Sequence, residues 1–196
     1  MARDRASRPE ARPLRLFVAV DVPPDVREDL AVQVAKLHER VAGGRWTPPE
    51  NWHVTVAFLG RTWPRLLDWV REHVAAAASN SPPFATSVQG IGAFPSWRRA
   101  RVLWAGLADE AGAFAAAAGT VQTELAKEFR PEERPFTPHL TIARLNPPAQ
   151  VDRARVEDLA PSRVFEVEEF VLYRSHLRRP APVYEPLARF ALTGRA

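Results

Sequence analysis

The chain has 196 residues, of which 46% are hydrophobic and 26% charged. That is the composition of a globular protein able to bury a core without staples, and it excludes a disordered or fibrous chain. Cysteine is absent, which removes disulfides, thiolate metal sites and cysteine nucleophiles and fits a reducing, cytoplasmic setting. No apolar run approaches the roughly 18 residues of a membrane span, so no membrane association is expected. The formal charge is +4 and the only lysines are Lys36 and Lys127. The cationic charge is therefore almost all arginine, whose planar fork matches phosphate oxygens. A genome-wide bias toward Ala, Arg and Pro accounts for the same excess without a partner.

Residues 1–13 are rich in Arg and Pro and lack the apolar middle of a secretory signal, so they read as a flexible basic leader to one domain spanning 14–196. Leu14 to Val20 is a strand by its β-formers. Asp25 then stands three residues before Glu28, the spacing of a capping box. The helix that follows has Val26, Leu30, Val34, Leu37 and Val41 on one face and ends at Gly43-Gly44. Trp46 to Glu50 is a proline loop, Trp52 to Leu59 a strand ended by Gly60, and Pro64 to Ser79 a second helix. Phe84 to Phe94 and Ala100 to Leu107 are strands. Glu110 to Phe129 is a third helix with Phe114, Ala118, Val121 and Leu125 inward. An extended loop, Arg130 to Pro138, precedes the strand His139 to Leu145, ended by Asn146-Pro-Pro148. Val164 to Leu172 and Val183 to Leu192 complete the strands. Short turns between strands predict an α+β fold with antiparallel sheets rather than a doubly wound parallel one.

One pattern occurs twice: His53-Val-Thr-Val-Ala57 and His139-Leu-Thr-Ile-Ala143. Only about 0.05 occurrences of His-apolar-Thr-apolar are expected by chance from the composition. Both copies follow a proline-containing loop and open a strand. Alternation sends His53 and Thr55 to one face and Val54 and Val56 to the other, and does the same for His139, Thr141, Leu140 and Ile142. Two such strands related by an approximate two-fold axis place two imidazoles and two hydroxyls around one cleft. One imidazole neutral and one protonated supply a general base and a general acid. The hydroxyls suit non-bridging phosphate oxygens, and opposed imidazoles suit in-line displacement at phosphorus. The design calls for no metal and no cofactor, since no Cys or carboxylate lies within either motif to complete a ligand set.

These motifs resemble those of the 2H phosphoesterase superfamily, and the segments around them resemble its RNA 2′,3′-cyclic phosphodiesterase branch, historically called 2′-5′ RNA ligase. The landmarks are Arg15-Leu-Phe-Val-Ala-Val-Asp21, Asn51 to Gly60, Arg101-Val-Leu-Trp104, Arg134 to Arg144 and Phe170 to Ser175. The resemblance runs from about Leu14 to Leu192. It implies two pseudo-symmetric lobes, each an antiparallel sheet with packed helices, around a central cleft. It further implies that His53 protonates a leaving ribose 3′-oxygen, that His139 activates water, that Thr55 and Thr141 hold the phosphoryl group, and that the product carries a 2′-phosphate. The partners are then RNA 3′ ends or cyclic nucleotides, and the protein acts as a monomer. Other readings are ligation through a 2′-5′ linkage or hydrolysis of small cyclic nucleotides at the same site, and a non-catalytic RNA-end binding protein.

Substrate contacts are assigned to Arg101, Arg144 and Phe17. Guanidinium groups match phosphate, and an aromatic ring stacks on single-stranded bases; a strand-edge charge and a core Phe are the plain alternatives for Arg101 and Phe17. Arg144 alternates with Thr141 and His139, so strict parity turns it away from the cleft. His38 is expected on a solvated helix face and His73 partly buried. His176, among Arg174, Arg178 and Arg179, reads as a solvated loop residue or part of a cationic rim.

Overall fold

The computed structural model describes residues 12–156 and 158–195, so most of the basic leader lies outside the described residues. Among the described residues ten strands and three α-helices follow one another in an α+β arrangement. The first strand, β1 (Leu14–Asp21), leads into α1 (Pro24–Arg40); β2 (Arg45–Trp46) and β3 (His53–Thr62) precede α2 (Leu67–Ser79). Next come β4 (Phe84–Thr86), β5 (Val88–Phe94), β6 (Ala100–Leu107) and α3 (Ala113–Leu125). The chain closes with β7 (His139–Ala149), β8 (Phe165–Val167), β9 (Glu169–His176) and β10 (Val183–Ala191).

The main sheet runs β10-β9-β1-β3-β7-β6-β5, with β2 added to β7, and every pairing in it is antiparallel. β4 and β8 form a separate antiparallel ribbon. The expected two halves are thus β10-β9-β1-β3 and β7-β6-β5. They are fused into one sheet through a single residue pair, Val54 with Leu140. Beyond that pair the edge of β7 is taken over by β2, where Trp46 pairs with Ala143 and the Thr47 amide donates to the Ile142 carbonyl at 2.9 Å.

One face of the sheet carries the helices. Leu16, Val18 and Val20 of β1, Val54 and Val56 of β3, and Leu140 and Ile142 of β7 point into a core filled by Leu30, Val74 and Phe114 from the three helices. The core is continuous across both halves. Alternation then leaves His53, Thr55, His139 and Thr141 on the opposite, helix-free face.

Several boundaries differ from the sequence reading. Helix α1 begins at Pro24 behind Pro23, with no side-chain cap, because proline at the first helical turn needs no amide acceptor; Asp25 pairs instead with Arg163 at 3.0 Å. The segment 84–94 is divided because β4 leaves for the ribbon with β8, and 164–172 divides likewise into β8 and the start of β9. Helix α3 is shorter than 110–129, since Gly112 at φ 69° stands before its first turn. β7 continues through Asn146-Pro-Pro to Ala149, where Ala149 pairs with Ala100. Trp46 belongs to a two-residue strand rather than a loop.

Leu140 is fully buried at the pair joining the halves. Leu140→Ala is expected to lower unfolding stability by about 2–5 kcal/mol, read from a shift in the denaturant midpoint at an unchanged slope.

Candidate active site

Each motif opens its strand immediately after a proline loop, and each loop fixes its imidazole in the same way. His53 Nδ1 meets the Asn51 carbonyl at 2.8 Å, and His139 Nδ1 meets the Thr137 carbonyl at 2.7 Å. A carbonyl only accepts, so both Nδ1 atoms carry the proton and each Nε2 is the nitrogen free for chemistry. The loop before His53 is itself anchored, since the Asn51 amide donates to the Pro182 carbonyl at 2.9 Å.

The Val54–Leu140 pair sets the register of the two motifs. In an antiparallel pair this places His53 beside Thr141 and Thr55 beside His139, with the two imidazoles on the diagonal. The local two-fold axis passes between Val54 and Leu140. The Thr55 and Thr141 hydroxyls have no hydrogen-bond partner among the described residues. All four predicted polar groups are therefore brought together.

The symmetry extends to a defect in the sheet. Along β1–β3 the partners run Val18 with Ala57 and then Ala19 with Thr55, passing over Val56. Along β6–β7 they run Leu103 with Ala143 and then Trp104 with Thr141, passing over Ile142. The fourth residue of each motif is thus a β-bulge, and a bulge shifts the alternation by one. Arg144 consequently returns to the His face, against the expectation from strict parity. Its positive charge lowers the pKa of both His53 and His139.

Arg101 behaves differently: it is exposed at an irregular point in the β6–β7 register, with no ion pair among the described residues. Phe17 lies on the cleft face but is only 4% exposed. It stacks on His53 at 4.8 Å and on Tyr173 at 5.3 Å, with Tyr184 edge-on at 5.1 Å. Its rings of contact are with protein, so it supports His53 rather than offering a face to a base.

Sequence reasoning missed the rest of this wall. Tyr173 donates to Asp21 at 2.7 Å, and Arg189 holds the other Asp21 oxygen at 3.2 Å and pairs with Glu169. Around His139 the walls are Phe94, edge-on at 5.0 Å, and Trp104 at 6.1 Å. The Trp104 ring lies where a side chain at Gly92 would be, 2.0 Å from an added Cβ, so that strand position admits only glycine. Asp21 shares the alternation of Phe17, a signal present in the sequence. Tyr173 and Trp104 arrive from non-adjacent segments, and the only signal they carry is membership of the landmarks 170–175 and 101–104. The remaining histidines stay outside the cleft: His73 stacks on Trp69 at 3.8 Å, exposed His38 meets Trp46 at 4.6 Å, and His176 ends β9 in a 2.7 Å contact with Glu185 rather than lying in a loop.

Burial is the chief reason that the His53 pKa falls to about 4; Arg144 and His139 lower it further, while the Asn51 carbonyl and Asp21 oppose the shift. His139 is lowered by burial and by Arg144. Without an anion in the cleft both imidazoles are therefore neutral at pH 7, rather than one being protonated. A cleft with two neutral bases, two unpaired hydroxyls and a cation is preorganised for an anionic group that restores one proton.

The LigT-like phosphoesterase model matches residues 20–104 and 107–184. The chain belongs to the LigT-like phosphoesterase family. A Thermus thermophilus RNA 2′,3′-cyclic phosphodiesterase is 34% identical over 188 residues, covering 92% of this chain and 91% of the relative. The enzyme of the same name from Archaeoglobus fulgidus is 33% identical, covering 90% of this chain and 99% of its own length. A Geobacillus stearothermophilus relative, also an RNA 2′,3′-cyclic phosphodiesterase, is 32% identical, but the chain spans only 57% of its length. Among solved structures, Thermus thermophilus TT0787 superposes with a TM-score of 0.79 at 29% identity, covering 93% of this chain and all of that one. Escherichia coli LigT complexed with 3′-AMP gives 0.72 at 29% identity, covering 92% and 99%. The mixed α+β fold of this LigT-like phosphoesterase is thus shared with both. No helix among its described residues is long and apolar enough to cross a membrane.

Proton NMR is expected to show His53 titrating near pH 4, well below an ordinary histidine. Arg144→Ala removes a cation that disfavours imidazolium, so it should raise both histidine pKa values; an unchanged His139 titration would show that Arg144 does not face the cleft.

Proposed function

We propose that the protein hydrolyses the 2′,3′-cyclic phosphate at RNA 3′ ends to a 2′-phosphate. The observation that carries this reading is the pair of identically tethered imidazoles, each beside a free threonine hydroxyl, on opposite sides of the Val54–Leu140 axis. The relatives that act under the name RNA 2′,3′-cyclic phosphodiesterase support the substrate class.

The cyclic phosphate sits between the imidazoles, its non-bridging oxygens accepting hydrogen bonds from Thr55 and Thr141 and facing Arg144. Its negative charge opposes the desolvation that keeps His53 neutral, and Asp21 adds to that effect. Protonated His53 Nε2 then stands behind the ribose 3′-oxygen, while neutral His139 Nε2 accepts a proton from water. The water oxygen bonds to phosphorus as the phosphorus–3′-oxygen bond breaks, and the His53 proton goes to the departing oxygen. His53 ends neutral and His139 protonated; solvent returns the proton. In-line geometry requires the acid and base on opposite sides of phosphorus, which the diagonal arrangement supplies.

With EDTA present, an RNA ending in a 2′,3′-cyclic phosphate is expected to accumulate the 2′-phosphate isomer. His53→Ala and His139→Ala should each lower kcat by about 10²–10⁴. A 3′-phosphate product would reverse the ring-opening direction, and tight binding with no turnover would leave an end-binding protein. Since kcat/KM reports the free protein, its bell should centre below pH 6.5, with kcat displaced to higher pH because bound phosphate raises His53. A kcat/KM optimum above pH 7 would contradict the depressed histidine pKa values.

A further inference from the structure

The face that carries His53 continues outward along β1 and β3, and its residues there are not used by the reaction. Phe58 occupies the position in the first motif that Arg144 occupies in the second, brought to the same face by the bulge at Val56. It pairs across the sheet with Phe17, 6.4 Å between ring centres, yet is 76% exposed. One step farther, Arg15 pairs with Arg61, both exposed. Alternation from Phe17 sets Arg15 on the cleft face. Like charges directly opposite in a sheet destabilise it, and neither arginine has an ion pair among the described residues. Several arginines elsewhere are matched, Arg163 with Asp25, Arg134 with Glu132 and Arg189 with Asp21, whereas these two face each other. Burial raises the Tyr184 hydroxyl pKa while the charges of Arg144, Arg45 and Arg15 oppose the rise, and its ring stands edge-on to His53 at 5.1 Å. Asp21, the carboxylate on the inner part of this face, is already engaged by Tyr173 and Arg189.

We propose that this strip is a binding subsite for the nucleotides that precede the cyclic end of a single-stranded RNA, one base stacking on Phe58 and the adjoining backbone phosphate held by Arg15 and Arg61. An exposed aromatic ring set within unpaired arginines is the combination that single strands require, a π face for a base and cations for the backbone. The same cations would repel a basic peptide, and a single exposed ring is too small a patch for an apolar protein contact. The subsite rests on the cyclic-phosphodiesterase reading and adds to it a preference for a strand over a mononucleotide.

The test compares kcat/KM for a uridine trinucleotide ending in a 2′,3′-cyclic phosphate with that for uridine 2′,3′-cyclic phosphate. The wild-type protein is expected to favour the trinucleotide. Phe58→Ala should lower the trinucleotide-to-mononucleotide ratio about fivefold or more. Arg15→Ala and Arg61→Ala should each lower it and reduce the slope of log(kcat/KM) against log[salt] for the trinucleotide by about 0.7. Arg71→Ala, on α2 beside Asp68, should leave both the ratio and the slope unchanged. Equal kcat/KM for the two substrates, or a ratio indifferent to Phe58→Ala, overturns the subsite. Should neither substrate turn over, fluorescence anisotropy of a labelled uridine trinucleotide separates the two claims. Weaker binding by Phe58→Ala and Arg61→Ala then upholds the subsite while the hydrolase reading fails, and unchanged binding overturns the subsite as well.

Discussion

Everything at the cleft depends on one backbone pairing. Val54 and Leu140 are the only residues through which β3 and β7 meet in the sheet, and both are almost fully buried. Their side chains anchor the two halves to a common core, while their neighbours on either side are obliged by alternation to face away into the cleft. A shift of one residue in this register would exchange core and cleft along both strands. The hydrophobic positions of the motif therefore set the geometry that the polar positions use. That explains why both motifs have an aliphatic residue between His and Thr, and why β7 needs β2 to cover its edge as soon as β3 diverges.

The two bulges add a second layer of control. A regular strand would send Phe58 and Arg144 into the helices, where an arginine would carry a prohibitive desolvation cost. One extra residue in each strand places them instead on the cleft face. The halves then differ chemically at matching positions: a cation on the His139 side, an aromatic ring on the His53 side. Approximate symmetry repeats the imidazole and hydroxyl on both sides of the axis, and the departure from symmetry sets a cation against an aromatic ring.

The electrostatics follow from burial. Aromatic walls exclude water from His53 on one side and His139 on the other, and low polarity disfavours imidazolium in both. The cation at Arg144 deepens that effect, while Asp21, fixed by Tyr173 and Arg189, opposes it at His53 alone. The resting site is thus short of negative charge and short of one proton. In the proposed reaction a phosphate anion supplies the first and, by doing so, makes the second favourable.

The class of the fold, the family and the four residues of the doubled motif were legible in the sequence alone. Helical and strand periodicities are local, and a polar pair repeated on an apolar alternation is legible without coordinates. The errors of the sequence reading had two sources: local backbone detail at Pro23-Pro24 and Gly112, and pairing between distant segments. The end of β7 at its prolines and the undivided strands at 84–94 and 164–172 are local signals overruled by partners far along the chain, Ala100 and the β4–β8 ribbon. The parity of Arg144 and the support of His53 by Phe17, Tyr173 and Asp21 were decided only in the tertiary structure. A bulge exists only relative to the strand beside it, and an aromatic ring becomes a wall or a ligand face only according to which other segments cover it.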